Sequence, residues 1–110
     1  MPRYLVQLAY TPEAWAAQLR NPANRVEAVR PALERIGGHF EGVYFAFGDY
    51  DVVFIMEAPG NATAAAFAMA ITAGGAVRAY KTTPLMSLEE GLEAMRRGAE
   101  VAGVYQPPSG

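Results

Sequence analysis

Short stretches of the chain are apolar on both alternations of an extended strand, and the sequence between them is apolar at helical spacing instead. Residues 3–10 place Tyr4, Val6 and Leu8 on one alternation and Leu5 and Ala9 on the other, which predicts a strand with neither face wholly given to water. Thr11-Pro12-Glu13 then offers an N-cap, a proline at the first helical position and an acid in the first turn. Trp15 and Leu19 give that helix its apolar face, and Asn21-Pro22 ends it. A second start follows at Asn24, spaced from Glu27 as in a capping box, and Val26, Val29, Leu33 and Ile36 recur at helical intervals up to Gly37-Gly38. Pro31 falls inside this run and is expected to kink or split the helix.

Residues 39–47 and 50–58 are β-branched and aromatic runs joined through Gly48-Asp49, the pattern of a β-hairpin. After Pro59-Gly60, Asn61 is expected to cap a helix reaching to about Ala73, with Phe67 and Ile71 among alanines that imply a close approach to the sheet. Gly74-Gly75 stops it, and residues 77–83 form a fourth strand ended by Pro84. Ser87 and Glu90 make a capping box for a last amphipathic helix carrying Leu88, Leu92, Met95 and Ala99. The order βαββαβ plus a C-terminal helix predicts an α+β, ferredoxin-like domain over residues 1–100 with a four-stranded antiparallel sheet, followed by a tail at 101–110. Helices in this arrangement cover one sheet face, while the strands are apolar on both. The uncovered face is therefore expected to be buried by a second copy of the chain, giving a homodimer or a higher assembly.

Gly48-Asp49-Tyr50-Asp51 at the hairpin, with Tyr10-Thr11 closing the first strand and Thr82-Thr83-Pro84-Leu85 after the last, resembles the GYD-domain family of small bacterial proteins. The resemblance runs from about residue 1 to about residue 97. It implies membership of the dimeric α/β-barrel group, ferredoxin-like folds that include cofactor-free monooxygenases. It carries over no activity of its own, and the family's pattern does not require a histidine where His39 stands.

Length and composition narrow the function classes. The chain of 110 residues has room for one core. It has no cysteine, so neither a disulfide framework nor thiolate metal ligands are available, which suits a cytoplasmic protein. The net charge of −2 comes from scattered residues, which argues against nucleic acid as a partner. No secretory leader is apparent, and the Ala-rich stretch at 62–73 is too short to cross a bilayer, so a soluble protein without membrane partners is expected.

Candidate chemistry is sparse. His39 is the only histidine and cannot anchor a metal alone. Asp49 and Asp51 read most simply as turn residues whose carboxylates cap backbone N–H groups, so the Gly48 to Asp51 motif is expected to be structural. Glu57 shares an alternation with Asp51, Val53 and Ile55 at a strand end. Met1 removal would expose the Pro2 amine as a base, yet Met1 is present. The better ligand-binding candidates are polar or aromatic strand residues: Gln7, Tyr44, Arg78 and Tyr80. With a two-residue turn, Tyr44 shares a face with Val53 and Ile55. The expectation is a small-molecule-binding protein needing no cofactor and no metal, its ligand small and apolar or aromatic and held at or near the sheet face, in a cavity left between the sheets of the dimer, with cofactor-independent catalysis left open. The alternative is a non-catalytic oligomerisation module whose apolar face is consumed by self-association.

Overall fold

The computed structural model describes residues 1–109. Its elements are β1 (Arg3–Tyr10), α1 (Pro12–Arg20), α2 (Arg25–Arg35), β2 (His39–Phe45), β3 (Val52–Glu57), α3 (Asn61–Ala73), β4 (Val77–Leu85) and α4 (Leu88–Ala102). The sheet is four-stranded and antiparallel in the order β2-β3-β1-β4, the ferredoxin-like α+β arrangement expected from the strand and helix order. Among the described residues no helix is long and apolar enough to cross a membrane.

Alternation along the central strands sorts side chains cleanly between the two faces. Tyr4, Val6 and Leu8 of β1 and Val52, Phe54 and Met56 of β3 are buried under the helices together with Leu33 of α2 and Ala64 and Phe67 of α3. Phe40, Phe54 and Phe67 meet edge-to-face, with centroids 5.0 to 6.4 Å apart. Leu5, Gln7, Val53, Ile55 and Glu57 point to the other face, where the single chain leaves them partly exposed.

Helix starts follow their caps. Thr11 Oγ1 accepts the Ala14 N–H, Asn24 Oδ1 accepts the N–H groups of Val26 and Glu27, and Ser87 with Glu90 forms the reciprocal box. Asn61 does not cap α3: Gly60 is the N-cap residue, and Asn61 Oδ1 instead accepts the Tyr4 hydroxyl at 2.7 Å, tying α3 to β1. Pro31 does not split α2, which runs from Arg25 to Arg35 as one helix. A proline there removes the bond that its own N–H would have made to the carbonyl of Glu27 and crowds that carbonyl, yet the helix continues past it. Gly38, just past that helix, has no room for a Cβ, which would run into the Leu33 side chain.

Two strand boundaries differ from the pattern. The hairpin strands are shorter than expected, because ladder pairing ends at Phe45 and Val52 and the last bond of the turn is Ala46 N–H to the Asp51 carbonyl at 2.8 Å. The pairing of Tyr44 with Val53 is nevertheless the register a two-residue Gly48-Asp49 turn gives. Strand β4 continues through Pro84 to Leu85, as it can at a sheet edge where a missing N–H costs no ladder bond.

The C-terminal helix stands apart. α4 buries none of its residues, with Leu88 89% and Met95 70% exposed. The radius of gyration of 17.9 Å exceeds the about 13 Å of a compact domain this long, and the molecule extends 58 Å along its longest axis.

Candidate functional site

The turn from Gly48 to Asp51 is a joint. Asp51 Oδ2 accepts the backbone N–H of Tyr10 at 2.8 Å and the indole Nε1–H of Trp15 at 3.1 Å, while the Asp51 N–H donates to the Leu8 carbonyl at 2.8 Å. One residue thereby ties the hairpin to the end of β1 and to α1. Trp15 also packs edge-on against Tyr10, centroids 5.3 Å apart. Gly48 has φ +147°, a conformation side chains disfavour, and Asp49 is exposed.

At the opposite end of the sheet Arg3 bridges two acids. Its Nε lies 2.9 Å from Glu41 Oε1 and its NH2 group 3.1 Å from Glu57 Oε1. The hydrogen bond to Glu41 and its charge raise the Arg3 pKa, and the same hydrogen bond holds the Glu41 carboxyl below its usual value. Glu41 stands at an irregularity of β2, between Phe40 opposite Met56 and Gly42 opposite Ile55. His39 pairs with Glu57 in the ladder and is exposed. Among the described residues no group of three or more histidines, cysteines or acids is placed to hold a metal ion.

The four ligand-binding candidates are not gathered together. On the open face Tyr44, Val53, Gln7 and Lys81 form a row across neighbouring strands, so Tyr44 and Gln7 are about 10 Å apart at ordinary strand spacing. Tyr44 is 70% exposed. Arg78 is the extra residue of a bulge, because Val77 faces Tyr10 and Ala79 faces Ala9, and it projects from the edge strand into solvent. Tyr80 pairs with Leu8 and packs on the helix-covered core. Its buried hydroxyl has no partner among the described residues, and burial raises its pKa.

A cavity of about 270 Å³ opens on the helix side of the sheet, between α2 and α3. Val26 and Val29 of α2, Phe67 and Ile71 of α3, and Phe40 and Phe54 of the sheet form its apolar walls. Beside Ile71, the C-terminal end of α3 offers Ala70, followed by Gly74 and Ala76, so small residues leave space unfilled where the alanine content predicted tight contact. A wider basin of about 570 Å³ along the β2 edge shares Tyr10, Arg25, Val26, Phe40, Val43 and Val52 with the cavity. Tyr44 lines that basin and is the one sequence candidate that reaches either space. The sequence signal for the rest was present as the helical periodicity of Val26 and Val29 and the strand-closing Tyr10, but periodicity marks a buried face without saying whether protein fills it.

An α+β domain of ferredoxin-like topology, with one sheet face under helices and the other open, is the class these features define. The family model for the GYD domain matches residues 4–95, and the chain belongs to the GYD domain family. A search of the curated proteins finds no relative.

Proposed function

We propose that this GYD-domain protein is a small-molecule-binding protein that holds an apolar or aromatic compound in the cavity between α2, α3 and the sheet, and that self-associates through the open sheet face. The observation that carries the reading is the cavity itself. Its walls are aromatic and aliphatic, its polar groups few, and its volume lies close to the lower end of the about 300–1,000 Å³ of small-molecule sites. Self-association is supported by Leu5, Val53 and Ile55, which lie partly exposed on adjacent strands of the face the helices do not cover.

Binding rather than catalysis is the activity proposed. Among the described residues the cavity lining contains no carboxylate and no imidazole. Its one phenol, Tyr10, has a pKa raised chiefly by burial, so it serves as a hydrogen-bonding group and not as a base. The experiment is a fluorescence titration of naphthamide, a neutral aromatic probe, against the wild type and Val29→Trp. The wild type should saturate and the filled variant should not. Equal binding by both would remove the cavity from the account, and no binding by either would leave the oligomerisation module as the better reading.

A further inference from the structure

The charges around the cavity and its outer basin are compensated except one. Arg30 is held by Glu27, 3.1 Å away, and its guanidinium lies over the Phe40 ring at 5.5 Å. Glu41, the one acid lining the basin among the described residues, is held by Arg3. Arg25 lines both spaces, is the only charged residue of the inner cavity lining, and has no carboxylate within ion-pair distance among the described residues. Tyr10 also lines both, and its hydroxyl makes no hydrogen bond with the described residues. An apolar cavity whose mouth carries one free guanidinium and one free phenol is complementary to a molecule with an apolar body and a single anionic head.

We propose that the cavity selects an aromatic or aliphatic monocarboxylate, its body among Val29, Phe40, Phe54 and Phe67 and its carboxylate held at the mouth by Arg25 and the Tyr10 hydroxyl. This rests on the reading of the cavity as a binding site and adds the class of its ligand. A dicarboxylate is disfavoured, because the second charge would have no free cation to meet and would face Glu41. Arg25 is the first residue of α2 and exposed, so replacing it leaves the fold intact.

The test compares naphthoate with its neutral isostere naphthamide by isothermal titration calorimetry. The wild type should bind naphthoate about tenfold or more tightly than naphthamide, the margin of a charge-assisted contact. Added salt should erode that margin. Arg25→Gln should collapse the margin between naphthoate and naphthamide, Tyr10→Phe should narrow it, and Arg20→Gln, outside the cavity, should preserve it. Equal affinity for the two probes in the wild type, or a margin that survives Arg25→Gln, overturns the carboxylate preference while the binding site stands. Failure of both probes to bind overturns the binding site and the preference together.

Discussion

Trp15 and Asp51, 36 positions apart in the chain, are joined by a 3.1 Å hydrogen bond from the indole Nε1–H to the carboxylate, and the same oxygen accepts the Tyr10 N–H at 2.8 Å. Removing the acceptor leaves two donors unpaired in a half-buried corner. Asp51→Ala should therefore cost about 2–3 kcal/mol, in the range of hydrogen bonds to a charged group. Asp49→Ala, at an exposed position, should stay within about 0.5 kcal/mol of wild type. Urea denaturation of the two variants side by side checks the contrast, and equal losses would mean that the motif's two acids share a role.

Gly48 needs its backbone conformation and not empty space, since no described residue other than its chain neighbours lies within 4 Å of where a Cβ would stand. At φ +147° a side chain is strained, so Gly48→Ala should cost about 1–3 kcal/mol and Gly48→Val at least as much. Unchanged thermal midpoints in both variants would contradict the turn geometry.

The order of elements along the chain, three of the helix caps and the Tyr44–Val53 register were legible in the sequence because each depends on neighbours a few positions away. Asn61 shows the limit: its place after Pro59-Gly60 fits a cap, but a partner 57 positions distant, the Tyr4 hydroxyl, claims its side chain. Tyr80 and Arg78 show another. They sit two apart, yet the bulge leaves Arg78 unpaired at the edge while Tyr80 packs on the core, and no local signal announces a bulge on an edge strand. The cavity was illegible for a third reason. It arises from a shortfall of volume where α2, α3 and the sheet converge, which no single segment encodes.

Tyr80 buries an unpartnered hydroxyl, so Tyr80→Phe should be neutral or stabilising by about 1 kcal/mol. Burial raises the folded-state pKa above the ordinary 10.0. The unfolded chain therefore loses its proton first as pH rises, and wild-type stability should be full below about 10 and decline above it. Tyr80→Phe should show a shallower alkaline decline in denaturant titrations. An identical slope would place the phenol in solvent.

If the open sheet face joins two copies, a charge at its centre should part them without unfolding either. Ile55, opposite Leu5 and partly exposed in the single chain, is the place to test it. Light scattering should give a dimer or larger mass for the wild type and a monomer mass for Ile55→Asp, with circular dichroism unchanged. A wild-type monomer would contradict the proposed self-association.

Where a ligand enters is the question that decides the account, and the side-chain methyl groups of this protein report it directly. Val26, Val29 and Ile71 surround the cavity, whereas Leu5, Val53 and Ile55 lie on the other side of the sheet. In methyl NMR spectra recorded during titration with naphthamide, the shifts should be largest and saturable at Val26, Val29 and Ile71 and small at the open-face set. Shifts confined to Leu5, Val53 and Ile55, or no saturable shift at any of the six, would contradict a binding site beneath the helices.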